Sequence, residues 1–314
     1  MFFALSGFLV TASLERTQSL VVFLWFRALR IVPALAVEVT LSALLVGPLV
    51  TDRSLVDYFG DPAFGRYFLN IVGLIHYVLP GVFTNNPWPD IVNGSLWTVP
   101  YELECYVALA VASTLTLVRR PRLMTALAVL TSVIFFAFFR KATVVDLAVD
   151  PVPGRMLVIC FMSGAALQAA RSIVPCSTLL AAACAAIAVV LLARPDTQFL
   201  AAVPTSYLTV WLGLRDPPRA FILRSGDYSY GIYLYGFVIQ QLVIQLLGDR
   251  LGSSLAAFAV ALPACVAVAV LSWHAVERPA LKLKRSIPAR ERHRPAREPG
   301  GPGRRGDHHS RARI

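Results

Sequence analysis

Ten apolar runs recur along this chain, each near the ~20 residues a helix needs to cross ~30 Å of hydrocarbon. They fall at about residues 1–13, 31–50, 67–83, 97–118, 123–139, 154–170, 177–193, 198–214, 227–247 and 254–276, with short charged connections between them. A transmembrane barrel would instead alternate apolar and polar residues over strands of about 10 residues. With 57% hydrophobic residues, 15% charged residues and a mean hydropathy of +0.64, the 314 residues read as an all-α polytopic membrane bundle. No basic n-region precedes Phe2, Phe3 and Leu5, so the first run is not read as a signal peptide.

Charge is unevenly placed. The net charge is +11, but Arg278 to Ile314 hold 12 of the 29 basic and 3 of the 18 acidic residues, so the body is nearly neutral. That split excludes a basic nucleic-acid-binding domain and leaves no nucleic-acid partner to expect. Residues 281–314, rich in Arg, Pro and Gly, cannot bury a core and are expected to form a disordered basic tail that attracts anionic lipid. Cys105, Cys160, Cys176, Cys184 and Cys265 have no C-x-x-C spacing and read as packing residues; neither a disulfide framework nor a metal site is expected.

The connections with a basic excess are 14–30 (Arg16, Arg27, Arg30), 119–122 (Arg119, Arg120, Arg122), 215–224 (Arg215, Arg219, Arg224) and the tail. By the positive-inside rule all four are cytoplasmic. Parity then requires one run before Arg119 not to cross. The run at 67–83, with Asn70, Gly73, His76, Pro80 and Gly81, is expected to be short, re-entrant or interfacial. About nine crossings follow, with the C-terminus cytoplasmic.

Ionisable groups within membrane runs are the best functional pointers, since each costs a few kcal/mol at the bilayer centre unless it is paired or wet. Glu38 interrupts the second run, Glu102 and Glu104 open the fourth, and His274 and Glu277 close the last. Pro100 suits a first helical turn, so a helix is expected to begin near Thr98. Glu102 and Tyr106, four apart, share a face, whereas Glu104 is turned by about 200°. Glu102 then faces the interior, or both carboxylates are solvated at a helix start. Arg27 and Arg30, at i and i+3, can grip phosphates bidentately or serve only as topology anchors. The tyrosines of residues 228–235 fit an interfacial belt, and His76 and His274 have no partner at readable spacing.

Five stretches, taken in order, carry a resemblance: Phe2 to Leu9, Arg27 to Pro33, Asn93 to Glu102, Ser229 to Tyr235 and Trp273 to Pro279. Together they resemble the membrane-bound acyltransferase 3 family over nearly residues 2–284. The resemblance implies a bacterial inner-membrane O-acyltransferase that moves an acetyl or short acyl group from acyl-CoA to a hydroxyl of a surface carbohydrate or glycolipid. Acyl-CoA is the donor substrate, with no permanently bound cofactor and no metal, and the partners are the glycan acceptor and membrane lipids. Arg27 and Arg30 match the segment that meets the CoA phosphates. Glu102, the catalytic candidate this chain retains, matches with Ser95 and Trp97 the family's Ser-Leu-Trp...Glu stretch that lines the acceptor side; Tyr230, Tyr233 and Tyr235 match another wall of the same cavity, and Tyr106, on the Glu102 face, is taken with them as substrate-binding.

Two departures accompany the resemblance. Family members begin with a further helix of the type Arg-Gly-Leu-Arg-Ala-(apolar)-His that supplies a general base. That helix would precede Phe2, so the chain reads as truncated and its activity as impaired. Gly236 stands where the family commonly has His. The rival readings are a transporter or flippase of a lipid-linked sugar and an inactive family remnant.

Overall fold

The computed structural model describes residues 1–17, 19–139, 154–215 and 226–286. Every regular element among them is helical. Nine main helices occur: α1 (Phe2–Thr17), α2 (Leu20–Leu41), α3 (Val99–Thr114), α4 (Pro121–Phe139), α5 (Gly154–Ala169), α6 (Thr178–Leu192), α7 (Ala202–Gly213), α8 (Ser229–Leu251) and α9 (Ser254–Ser272). Four stretches are long and apolar enough to cross a membrane: Leu20–Val50, Pro121–Phe138, Ser229–Gly248 and Ser254–Lys282. Helices α5 and α6 are shorter but apolar. The coarse expectation of an apolar helical bundle is met. The count of nine crossings is not reached on helix length and hydropathy, because several helices stop short of a full bilayer thickness.

One boundary differs from the sequence reading. Residues 20–30 are not a connection but the first turns of α2, which the Ser19 hydroxyl caps by accepting from the Val22 N–H. No Gly or Pro interrupts 20–32, so nothing breaks the helix before Pro33. Beyond Leu41 the chain continues through a π turn at Ser42–Val46 to Val50, giving 31 helical residues. At 1.5 Å per residue this is about 46 Å, longer than a hydrocarbon core. Helix α9 is extended in the same way. It passes through a π turn at Trp273–Glu277 into Arg278–Lys282 and a 3₁₀ turn at Leu283–Ser286. Ordered backbone therefore continues six residues into the stretch expected to form the tail, and residues 287–314 lie outside the described residues.

The run at 67–83 forms no crossing helix. A 3₁₀ turn at Phe68–Val72 ends at Gly73, whose φ of +84° is the left-handed conformation that glycine adopts without a Cβ penalty. The chain then runs without regular structure to Asn93, and side chains satisfy its backbone. Asn70 donates to the carbonyls of Tyr67 and His76 and accepts from the His76 N–H. Gln241 of α8 donates to the carbonyls of Trp88 and Ile91, and Asn86 donates to the Gln241 carbonyl (2.9 Å) and side-chain oxygen (3.0 Å). Irregular backbone is tolerated at membrane depth only when buried in protein in this way.

The C-terminal ends of α1 and α3 meet. Leu14, Glu15, Ser113, Thr116 and Arg119 line one cavity of about 420 Å³, so the basic stretches after α1 and α3 share one end of the bundle. Glu15 also accepts from Gln168 and Arg171 beyond α5. Of the cysteines, Cys105, Cys160 and Cys265 are buried as expected for packing residues, whereas Cys176 is exposed; all five are free thiols.

Helices α1 and α5 cross at two glycines. A Cβ at Gly7 would lie 2.0 Å from the Phe161 carbonyl oxygen, and one at Gly164 would lie 1.9 Å from that of Ala4. Backbone meets backbone there, so no flexible side chain can yield; this is the small-residue mode of helix association in lipid. We expect Gly164→Ala to lower stability by about 1–3 kcal/mol, read as a drop in the thermal midpoint of the purified protein. Gly60→Ala, where nothing lies within 4 Å, should leave it unchanged.

Candidate active site

The face of α2 that turns inward carries its polar residues. Arg27, Arg30 and Glu38 lie on it, with Glu38 about 16 Å along the axis from Arg27. Two polar centres result, one at each level.

At the first level α3 meets Arg27. The helix begins at Val99 with Pro100 in its first turn, as the sequence predicts, after a 3₁₀ turn at Gly94–Thr98. Tyr106 donates to Glu102 Oε1 at 2.5 Å, so the expected shared face exists and one carboxylate oxygen is occupied. Glu104 points away and pairs with Arg155 at the surface. The Tyr106 ring is buried against Phe23 and Phe161, with centroids 6.5 and 6.1 Å away. Arg27 and Arg30 lie close enough for their charges to act on Glu102. Arg27 also packs its guanidinium over Phe23, 5.9 Å from the centroid, and its buried Nε has no hydrogen-bond partner.

Arg30 is held differently. It donates to Asp227 at 2.6 Å and stands 3.7 Å from Glu277. Its guanidinium lies over the rings of Tyr230 and Trp273, 5.8 and 5.9 Å from their centroids. Burial pushes the Asp227 carboxyl up, but the Ser229 hydroxyl and Arg30 outweigh it and hold it below the usual carboxylate range. Arg30 thus clamps the start of α8 and the end of α9 to α2. The two arginines that sequence treats as a pair are divided between an engaged cation and one whose ion-pairing capacity is unused.

The walls expected from sequence come together in part. Tyr230 and Tyr233 stack at 6.5 Å, and Tyr230 donates to the Ile31 carbonyl at 3.2 Å. Tyr233 donates to the Ser95 carbonyl and shares a 2.5 Å hydrogen bond with the Thr98 hydroxyl, which fixes the 3₁₀ turn against α8. Ser95 and Tyr233 also line a cavity of about 300 Å³ with Gly236, Gln240 and Cys265. Trp97 packs edge-on against Tyr101, 6.1 Å away. Tyr235 turns elsewhere: its hydroxyl meets Ser272 at 3.4 Å, on the α9 side of α8.

The second level is a lock that the sequence reading named only in part. Glu38, 1% exposed, accepts from Ser42 at 2.9 Å and from Asn93 at 2.8 Å, and Asn93 donates as well to the Leu234 carbonyl at 2.9 Å. Asn93 also caps the 3₁₀ turn by accepting from the Ser95 N–H. The Ser42 spacing is legible as i, i+4, but nothing in the sequence pairs Glu38 with Asn93. Asp227 and Glu277 were likewise out of reach, because they meet Arg30 only through the fold.

Comparison with known proteins fits this arrangement. Residues 1–274 match the acyltransferase 3 family, described as an acyltransferase domain. The chain belongs to that family. It is 26% identical over 293 residues to an O-acetyl transferase of Shigella phage Sf6, covering 88% of this chain and 82% of the relative. It is 28% identical over 327 residues to Nodulation protein 10 of Rhizobium leguminosarum bv. viciae, covering 92% and 83%. No solved structure matches significantly.

Asn93→Ala would strip a donor from both Glu38 and the Leu234 carbonyl, leaving buried acceptors unsatisfied. We expect a loss of about 2–3 kcal/mol in thermal or denaturant unfolding. The Glu38→Ala/Asn93→Ala double variant should lose less than the sum of the single variants, since each removes the other's reason for being costly.

Proposed function

We propose that this acyltransferase moves an acetyl or other short acyl group from acyl-CoA to a hydroxyl of a surface carbohydrate or glycolipid. The observation that carries the reading is the juxtaposition of Glu102, hydrogen-bonded through Oε1 to Tyr106, with the Arg27 guanidinium close enough for its charge to act on both. Glu102 Oε2 is left to take the proton of a bound hydroxyl. The hydroxyl oxygen attacks the thioester carbonyl, the carbon–sulfur bond breaks, and the proton passes to the departing thiolate, so alcohol and thioester become ester and free thiol. A sugar hydroxyl is a poor nucleophile near neutral pH, and a positioned base supplies about 10²- to 10⁴-fold.

Donor and acceptor arrive from opposite sides in this reading. Arg27 takes phosphate on the cytoplasmic side, because a guanidinium donates in the planar fork that phosphate oxygens match. Arg30 contributes less directly than the sequence pattern suggests; its clamp keeps Tyr230 and the α9 extension in place around the mouth. The acceptor side is formed by the turn carrying Ser95 and Trp97 and by Tyr233, which the lock at Asn93 holds to α2 and α8. An acetyl donor fits the name of the phage relative, an O-acetyl transferase. A glycan acceptor fits the family resemblance. The orientation, with the basic ends cytoplasmic in a bacterial inner membrane, follows the positive-inside rule.

The test is acetyl-CoA consumption by membranes carrying the chain, with thiol release and label transfer to a glycan fraction both measured. Glu102→Gln should lower kcat by about 10² or more with little change in KM. Arg27→Ala should raise KM for acetyl-CoA while changing kcat less. Consumption that is insensitive to both substitutions would rule the reading out.

A further inference from the structure

The first turns of α2 do not stand alone at the arginine end of the bundle. The extension of α9, Arg278–Lys282 and Leu283–Ser286, packs beside it, with the Lys284 ammonium over the Phe26 ring at 5.4 Å from the centroid. Glu277 and Lys284 are seven residues apart, about two helical turns, so they lie on one face of the extension. Glu277 faces Arg30 on α2, and Lys284 faces the turn of α2 that carries Phe26 and Arg27.

Three cations from two segments are therefore gathered in one neighbourhood, here called the arginine mouth. Their counter-charges are unequally shared. Arg30 has Asp227 and Glu277, whereas among the described residues neither Arg27 nor Lys284 has a carboxylate within ion-pair distance. Glu102 lies within reach of the fields of Arg27 and Arg30 but makes its hydrogen bond to Tyr106. Burial, with the fields of Arg27 and Arg30, holds the Lys284 ammonium down to about 8. Two neighbouring cations without an ion pair of their own are where an anion from outside gains most.

We propose that Lys284 is the third cation of this mouth, and that Arg27 and Lys284 together take the phosphates of the acyl donor. The inference rests on the donor reading above and adds a residue that the family-matched stretch, residues 1–274, does not include. Arg27 supplies the directional fork and Lys284 a point charge on a flexible stem, so two phosphate groups at different depths can be met at once. The shared chemistry is a phosphate-bearing anion, and an anionic lipid headgroup is the other source of it.

Equilibrium binding of acetyl-CoA to the full chain in phosphatidylcholine nanodiscs, which carry no net lipid charge, separates the outcomes. Lys284→Ala should weaken binding about tenfold, the scale of one charge-assisted contact. Lys284→Arg should restore it to within about twofold, and Lys282→Ala, at an exposed position on the same extension, should not change it. Thermal unfolding of each variant reports folding, and Lys284→Gln gives a second neutral replacement if the alanine variant is unstable. Normal binding by folded Lys284→Ala or Lys284→Gln, with weakened binding by Arg27→Ala, would overturn the role of Lys284 and leave the donor reading standing. If the lysine variants change only the retention of added phosphatidylglycerol, the anion is a lipid and the inference is likewise wrong. Absence of any acetyl-CoA binding by the unaltered chain would remove the donor reading itself, and this inference with it.

Discussion

The Asn93 carboxamide is the bond on which the interior depends. A polar atom within hydrocarbon must find its partner in the protein, because no water competes for it and none rescues it. One side chain here satisfies a carboxylate on α2, a carbonyl on α8 and the Ser95 N–H of the turn leading into α3. These three elements supply nearly all the groups around Glu102. Their relative positions are thus set by hydrogen bonds about 3 Å long rather than by the looser fit of apolar surfaces, which in lipid lack the hydrophobic drive they have in water. The Gln241 and Asn86 bonds extend the same principle outward, turning the irregular stretch before Asn93 into a fixed part of the bundle.

Arg30 performs the corresponding task at the other level. Its charge would be costly between helices, yet two carboxylates and two aromatic rings converge on it from α8 and α9. A guanidinium suits this place better than an ammonium, since its plane can stack while its edges donate. Arg27 and Arg30 look equivalent in a sequence, and only the fold separates them. The one that sits opposite carboxylates becomes part of the frame, and the other meets the Tyr106 hydroxyl and has no ion pair among the described residues.

The helical class was legible because apolar runs of membrane length leave few alternatives, and the break at 67–83 was legible because Asn70, Gly73, Pro80 and Gly81 oppose a continuous helix. The start of α3 at Pro100 and the Glu102–Tyr106 face followed from turn chemistry and the 3.6-residue period. Residues 20–30 were misread as a connection because arginine was weighed as loop punctuation, while an uninterrupted helix former run was already present. What could not be read was long-range pairing. Glu38 with Asn93 and Arg30 with Asp227 are separated by 55 and 197 residues, and no periodicity links them. Tyr235 shows the same limit from the other side, since one turn of α8 places it on Ser272, away from Tyr230 and Tyr233.

The π turn at Trp273–Glu277 holds one residue more than an α-helical turn would, so everything beyond it is rotated by about 100° relative to an uninterrupted helix. Glu277 closes that turn facing Arg30, and two helical turns later Lys284 faces α2. Chain length through this segment is consequently under a tighter constraint than composition. Side chains there other than Glu277 and Lys284 can drift with modest effect, but inserting or deleting a single residue before Glu277 would swing both groups by about 100° together.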